Sequence, residues 1–222
     1  MNITYRRDDG TPRTTVEYWE ARYQQRDQVW SGRPNQALVR EIGSVTPGSA
    51  LDLGCGEGAD AIWLAQRGWQ VTAADVSETA LSRARVQAQR LGLSERIDWQ
   101  RHDLAQSFPA GRFDLVTAHY LHSPAALDGG HTKLLPRAAE AVARDGLLLI
   151  VGHSAAPWNP DLSAEAQLPT CAEVRAGLNL APSEWKVEIE EVVELEHTGH
   201  DGWSGTRTDN IVLLRRIGRG IP

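Results

Sequence analysis

The chain has 222 residues, enough for one domain with a substantial core. Hydrophobic residues make up 41% and charged residues 23%, and the net charge of −6 offers no basic surface for nucleic acid. No apolar run approaches the roughly 18 residues that a membrane span needs, so no membrane partner is expected.

Helix and strand patterns alternate along the chain. Val16, Trp19 and Tyr23 recur at the spacing of one helix face, and Ser77 and Gly92 bracket a longer helix as N-cap and C-cap. The helices are predicted at 14–26, 36–43, 58–68, 77–92 and 132–144. The strands are predicted at 50–53, 69–75, 96–103, 112–120, 145–153, 185–197 and 206–217.

This alternation predicts an α/β fold with a doubly wound, mostly parallel sheet of seven strands. The last two strands follow each other without a helix, which predicts an antiparallel last strand. We expect a single domain over 1–222. Its parts are an N-terminal helical cap segment (14–48), a ligand-binding core (49–153), and C-terminal loops with the last two strands (154–222).

The stretch LDLGCGEG follows the first strand and resembles a phosphate-binding glycine turn. Gly54 and Gly56 let a ligand approach the backbone closely. Asp52, however, lies two residues before the first glycine, where a carboxylate repels a pyrophosphate and attracts a cation. The turn therefore favours a positively charged ligand without phosphate.

Two more acids follow neighbouring strands. Asp75 lies 19 residues beyond Gly56, where an acid commonly accepts hydrogen bonds from ribose hydroxyls, and Asp103 ends the third strand. Ligands of such sheets bind beyond the carboxyl ends of the strands, so these acids should meet there. S-adenosylmethionine combines a ribose, an ammonium group and a sulfonium, and fits this set.

The motifs LDLGCGEG, VTAAD, RHDL, FDLVTAHYLH and DGLLLIVG together resemble the class I S-adenosylmethionine-dependent methyltransferases over about 49–153. The opening YWEARYQQRDQVWSGRPN resembles the small-molecule branch that includes tellurite-resistance and thiopurine methyltransferases. In that branch an N-terminal segment folds over the cofactor. The resemblance implies S-adenosylmethionine as cofactor and S-adenosylhomocysteine as product.

The resemblance also implies roles for individual residues. Asp52, Gly54 and Gly56 would surround the methionine part, and His119 would lie near it. Asp75 would hold the ribose. The remaining implied cofactor contacts are Val76 against adenine, Asp103 with the Leu104 backbone at the adenine amine, and Arg22 and Trp30, which would help to close the site.

Candidates for acceptor chemistry come from the later strand ends and loops. His122 and His153 are candidate catalytic bases, because a histidine titrates near working pH. Tyr120, Trp158 and Trp203 are candidate substrate contacts. His197 and His200 are three residues apart, but no third ligand is nearby, so no metal site is predicted.

We therefore expect an enzyme that transfers a methyl group to a small molecule, with a soft sulfur, selenium or tellurium nucleophile favoured. Small-molecule O- or N-methylation with a histidine base is the alternative. An NAD-dependent oxidoreductase and a methyltransferase-like binding module without turnover also stay open. The N-terminus lacks a signal-peptide pattern, and Cys55 and Cys171 form no disulfide framework, so we expect a cytoplasmic monomer or homodimer.

Overall fold

A computed structural model describes residue 7 and residues 9–121, 130–155, 168–198 and 204–218. Three predicted site residues, His122, Trp158 and Trp203, lie outside the described residues, as does His200. Within helices and strands, the side chains of residues 130–133, 155, 197 and 198 are not described either.

The described chain forms seven strands and six α-helices. The strands are β1 (Ser49–Leu53), β2 (Gln70–Asp75), β3 (Ile97–Arg101), β4 (Phe113–His119), β5 (Val142–Ala155), β6 (Trp185–Thr198) and β7 (Ser204–Arg216). The helices are α1 (Thr15–Gln24), α2 (Gln36–Ile42), α3 (Ala59–Gln66), α4 (Glu78–Arg90), α5 (Gly130–Glu140) and α6 (Cys171–Gly177), and a 3-10 turn spans Ser94–Arg96.

All seven strands form one sheet in the order β3-β2-β1-β4-β5-β7-β6. The pairs among β1 to β5 are parallel, whereas β7 runs antiparallel to both of its neighbours. This confirms the predicted doubly wound sheet with an antiparallel last strand. Because β1 lies between β2 and β4, the carboxyl ends of these three strands meet at the centre of one edge.

Hydrophobic cores cover both faces of the sheet. Successive residues of β5 alternate between them, as a strand with two buried faces requires: Leu147 and Leu149 pack into one cluster, and Leu148 and Ile150 into the other. The first cluster includes side chains of α2 and α3, and the second includes side chains of α5 and α6. The helices therefore hold the central strands from both sides.

The structure corrects the boundary between the fifth helix and the fifth strand. Residues 142–144 were predicted as helix, but β5 begins at Val142, which is fully buried and pairs with Phe113. A register shift follows in β4, and Asp145 has a left-handed φ of 65°. The start of the strand is irregular, and a strand buried on both faces has no alternating apolar pattern that would mark its beginning in the sequence.

Helix α6 was not predicted from the sequence. It begins with a capping box, in which the Thr170 hydroxyl accepts a hydrogen bond from the Glu173 backbone while the Glu173 side chain bonds back to Thr170. The T-x-x-E spacing was visible in the sequence, but the helix has only seven residues. Among the described residues, no helix combines the length and apolar character needed to cross a bilayer.

The turn into α3 depends on glycine at position 58. Gly58 has a φ of 83°, and a Cβ there would lie 2.6 Å from Trp99 Cη2 and 2.8 Å from Ala84 Cβ. Gly92 has a φ of 71°, but nothing lies within 4 Å of its Cβ position. The two glycines share the backbone conformation and differ in the space around them.

We predict that Gly58→Ala lowers the free energy of unfolding by more than Gly92→Ala does. The Gly92 change should cost about 1–2 kcal/mol for the left-handed backbone alone. The Gly58 change adds overpacking of about 1–3 kcal/mol. Urea unfolding of the two variants measures both costs, and equal losses would contradict the packing argument.

Candidate functional site

The turn after β1 is built on backbone hydrogen bonds from β2. Gly54 N and Cys55 N both donate to Ala74 O, at 2.8 and 3.0 Å. Gly56 has a φ of 54°, and a Cβ there would lie 2.9 Å from the Tyr23 hydroxyl. The turn therefore accepts only glycine at this point without displacing its neighbour, and it keeps backbone atoms at the edge of the sheet.

Asp52 lies beneath this turn and is 2% exposed. Its Oδ1 accepts a hydrogen bond from Thr117 Oγ1 at 3.0 Å, across the β1–β4 pair. Its Oδ2 is buried and has no hydrogen-bond partner among the described residues. A buried carboxylate oxygen without a donor is costly, so this oxygen is available to a ligand.

His119, at the end of β4, forms a pair with Asp60 in the first turn of α3. His119 Nδ1 lies 2.7 Å from Asp60 Oδ2, and Asn35 N donates to Asp60 Oδ1 at 2.6 Å. His119 Nε2 is buried without a hydrogen-bond partner among the described residues. Two unpartnered polar atoms, on Asp52 and His119, thus belong to one buried group.

Burial raises the pKa of Asp52 to about 7, and the negative charge of Asp60 adds to the rise. The nearby His119 and the Thr117 hydroxyl act in the opposite direction. Near neutral pH the carboxyl therefore exists in both forms. A ligand cation beside it would favour the ionised form.

Asp75, at the end of β2, supports the glycine turn. Its carboxylate accepts hydrogen bonds from Gly56 N and from Ser77 N, both at 2.9 Å. Burial raises the pKa of Asp75, against the effect of these two bonds. A carboxylate has about four lone-pair sites, so Asp75 keeps capacity for two further donors such as ribose hydroxyls.

The N-terminal segment lies over the glycine turn. Glu57 accepts hydrogen bonds from Val29 N and Trp30 N, each at 3.0 Å, and pairs with Arg83 at 2.9 Å. Trp30 Nε1 donates to the Tyr23 hydroxyl at 2.8 Å, beside Gly56. The contacts place predicted residue Trp30 at the turn, and Glu57 and Tyr23 were not identified from the sequence.

Arg22 lies beside Trp30. Its guanidinium carbon is 5.8 Å from the centre of the Trp30 ring. The neighbouring Glu20 accepts hydrogen bonds from the Ser77 hydroxyl and Thr79, which ties α1 to the start of α4. The predicted pair Arg22 and Trp30 is therefore together near the ends of β1 and β2.

The predicted adenine contacts lie along the end of β3. Asp103 accepts hydrogen bonds from Ala105 N at 3.2 Å and from the Gln106 side chain at 2.7 Å. Leu104 is 8% exposed. His102 N donates to Asp75 O at 2.9 Å, which joins this segment to the end of β2. Val76, which follows Asp75 at the end of β2, is half-buried.

Tyr120 and His153 form a second buried polar group with Asp209 of β7. The Tyr120 hydroxyl donates to Asp209 Oδ2 at 2.6 Å, and His153 Nδ1 lies 2.8 Å from Asp209 Oδ1. Asp209 was not identified from the sequence, although it is an acid just before the apolar run IVLL. Asp60, two residues beyond the LDLGCGEG motif, was also missed as a partner of His119.

The site fits a nucleoside with a positive charge. It offers two buried polar atoms without a partner among the described residues, the backbone of the glycine turn, and the carboxylate of Asp75. Asp52 Oδ2 needs a donor, and His119 Nε2 needs a polar partner. The negative charges of Asp52, Asp60 and Asp75 would repel a pyrophosphate at this turn. These residues therefore fit S-adenosylmethionine better than a dinucleotide.

The sheet order, with β7 antiparallel to its neighbours, is that of the Rossmann-like methyltransferase fold. Residues 50–146 match the family described as a methyltransferase domain. The match covers less than half of the chain, and it makes this part of the chain similar to methyltransferase domains.

Known proteins resemble the chain over different spans. A ribosomal RNA small subunit methyltransferase C from Alcanivorax borkumensis is 45% identical over 73 residues, covering 33% of this chain and 22% of that protein. A 2-heptyl-1-hydroxyquinolin-4(1H)-one methyltransferase from Mycobacteroides abscessus is 33% identical over 140 residues, covering 60% and 59%. The chain thus spans less than two thirds of these curated relatives.

The same fold occurs in a solved structure from work on echinomycin biosynthesis, which concerns the conversion of a disulfide bond into a thioacetal group. It superimposes with a TM-score of 0.67 and 22% identity, and the match covers 93% of both chains. The similarity therefore extends across the N-terminal and C-terminal segments of the fold.

We predict that Asp52→Asn stabilises the ligand-free protein at about pH 8. The folded pKa is raised, so ionisation of Asp52 costs stability as the pH rises from about 4 to about 7. The variant lacks this cost and should gain on the order of 1–4 kcal/mol at pH 8 and little near pH 4. Thermal melts across this range measure the difference.

Exposed Glu95 provides the control. Glu95→Gln should change the melting temperature little at any of these pH values. A gain for Asp52→Asn that is the same at about pH 4 and pH 8 would show that the buried charge is not its cause.

Proposed function

We propose that the protein is an enzyme that transfers a methyl group from S-adenosylmethionine to a small molecule. The observation that carries this proposal is the buried Oδ2 of Asp52 at the glycine turn, which has no hydrogen-bond partner in the described part of the chain. With Asp75 at the next strand end, it makes a site for a cationic nucleoside.

When bound, S-adenosylmethionine supplies an electrophilic methyl group on a positively charged sulfur. The residues of the chain then bind and orient the two reactants and exclude water from them. Asp52, Gly54, Gly56 and His119 hold the charged end, and Asp75 holds the ribose. The other proposed cofactor contacts are Val76, Asp103, Leu104, Arg22 and Trp30.

The proposed small-molecule acceptor is supported by the segment that lies over the glycine turn. Trp30 and Tyr23 cover Gly56, which leaves less room for a bulky macromolecule than an open edge would. The net charge of −6 disfavours nucleic acid as acceptor. The 2-heptyl-1-hydroxyquinolin-4(1H)-one methyltransferase, similar over 60% of this chain, is named for a small-molecule acceptor.

Two acceptor chemistries follow from the residues. The first is a soft sulfur, selenium or tellurium nucleophile, which the sequence analysis favours and which needs no base. A hydroxyl or N–H group needs one, and the contact of His153 with Asp209 favours this second chemistry. His122 remains a further candidate base, and Tyr120, Trp158 and Trp203 remain candidate acceptor contacts.

We further propose that the protein works in the cytoplasm, as a monomer or homodimer. Cys55 and Cys171 are both free thiols, which suits a reducing compartment. The whole chain would act as one domain, with 14–48 covering a core of 49–153 and 154–222 contributing to the acceptor side.

We predict that the purified protein binds S-adenosylmethionine and that Asp75→Ala weakens binding about 10–150-fold. The expected loss is about 1.5–3 kcal/mol in total, the range for one charge-assisted hydrogen bond. The change also removes the acceptor of Gly56 N, so the glycine turn should loosen. Titration calorimetry measures the affinity.

Asp98→Ala, an exposed acid in β3, is the matched control and should bind normally. Absence of binding to the native protein would reject the proposed function. Binding of NADH in its place would favour an oxidoreductase. Binding of S-adenosylmethionine without methyl transfer to a broad acceptor panel would favour a binding module.

A further inference from the structure

A polar network of Tyr120, His153, Asp209 and Arg207 joins β4, β5 and β7 beside the proposed cofactor group, which consists of Asp52, Asp60 and His119. Tyr120 follows β4, and His153 and Asp209 are paired residues of β5 and β7. Arg207 Nη2 donates to the Tyr120 hydroxyl at 2.8 Å and lies 3.2 Å from Asp209 Oδ2. Asp209 is 1% exposed and receives hydrogen bonds on both carboxylate oxygens.

The geometry fixes the ring of His153. Asp209 Oδ1 lies 2.8 Å from its Nδ1, and the Tyr120 ring lies 4.5 Å away, tilted by 30°. Since a carboxylate only accepts hydrogen bonds, Nδ1 must carry a proton. In the neutral ring the lone pair is then on Nε2. The side chain of His153 remains 16% exposed, so it is not sealed within the core.

Electrostatics keeps the acceptor of this bond charged. Burial alone would raise the pKa of Asp209, but hydrogen bonds from His153 and Tyr120 and the charge of Arg207 outweigh it and lower the pKa. Burial and the negative charge of Asp209 raise the pKa of Tyr120. Tyr120 therefore stays a hydroxyl donor, and Asp209 stays a carboxylate.

The backbone places this network next to the cofactor group. Tyr120 has a left-handed φ of 48°, and its N–H donates to Val151 O at 2.7 Å. A left-handed tyrosine is uncommon and persists only where its surroundings determine it. Its neighbour His119 pairs with Asp60, and Asn35 N donates to the same carboxylate, so the network lies next to this group in the chain.

We propose that Asp209 is a positioning residue that holds His153 as the general base for a protic acceptor, a phenolic or enolic hydroxyl. This inference rests on the proposed methyltransferase function and deepens it. Tyr120 and Arg207 fix the second carboxylate oxygen, so that Asp209 can present only Oδ1 to the histidine.

The proton and electrons balance in this step. His153 Nε2 accepts the proton of the acceptor hydroxyl, and the freed oxygen lone pair forms the new bond to the methyl carbon. The electron pair of the broken carbon–sulfur bond stays on the sulfur, which leaves as a neutral thioether. His153 afterwards returns its proton to water, while Asp209 stabilises the imidazolium without being protonated.

The first test reads the proton on His153 by nitrogen-15 NMR of the imidazole rings, without cofactor. Spectra of His153→Gln assign the resonances. In the native protein the proton should be on Nδ1, and in Asp209→Asn this preference should be lost, because an amide can either donate or accept. A native spectrum with the proton on Nε2, or an unchanged spectrum in the variant, overturns the proposal.

The second test compares two size-matched acceptors, 4-methylphenol and 4-methylbenzenethiol, at about pH 8. A phenol has a pKa near 10, so at about pH 8 it is protonated and needs a base, whereas an aromatic thiol is largely ionised at that pH. Asp209→Asn and His153→Gln should each slow phenol methylation on the order of 100-fold and thiol methylation by less than about 3-fold. Equal losses on both acceptors would indicate a purely structural network and overturn the proposal.

Asp145→Asn is the matched control for Asp209→Asn. Asp145 lies in the same strand as His153, its side chain is 74% exposed, and its left-handed φ of 65° suits asparagine. Its rates should equal those of the native protein. If Asp209→Asn does not fold, His153→Gln decides, because it leaves the bonds among Tyr120, Arg207 and Asp209 in place. Failure of S-adenosylmethionine binding would instead reject the proposed function.

Discussion

The position of β1 between β2 and β4 determines the chemistry of this protein. Parallel pairing brings three carboxyl ends to one place, so Asp52, Asp75 and His119 converge although they are far apart in sequence. The cores on both faces leave Asp52 2% exposed, and one of its oxygens has no partner within the residues that the structure describes. Stability is thus lower without a ligand at this site, and a cation can recover what burial costs.

Two acid–histidine pairs lie next to each other and differ in their surroundings. Asp60 and His119 share their group with a second acid, Asp52, and leave polar atoms without partners. In the other pair, Asp209 is bonded on both oxygens and carries the positive Arg207 beside it. The pair with Asp52 beside it suits binding of a positively charged ligand, and the pair with Arg207 beside it suits orientation of the His153 ring.

The sheet and the acids at its central strand ends were predictable because local patterns encode them. LDLGCGEG and the acid of VTAAD are tied to a turn and a strand end, and the turn admits only glycine at Gly56. The acceptor network was not predictable as a whole, since Tyr120 and Asp209 are 89 residues apart and meet only through strand register. The start of β5 was mispredicted because RAAEAVAR continues the apolar pattern of the helix as far as Asp145, which has a left-handed φ.

His119 and Tyr120 are consecutive in the chain, yet their side chains join different acid–histidine pairs. Since Tyr120 has a left-handed φ, the backbone turns between the two residues and sends one side chain to Asp60 and the other to Asp209. Asn35, in the N-terminal segment, donates its backbone N–H to Asp60. One left-handed residue thus separates the His119–Asp60 pair from the network of Tyr120, Asp209 and His153.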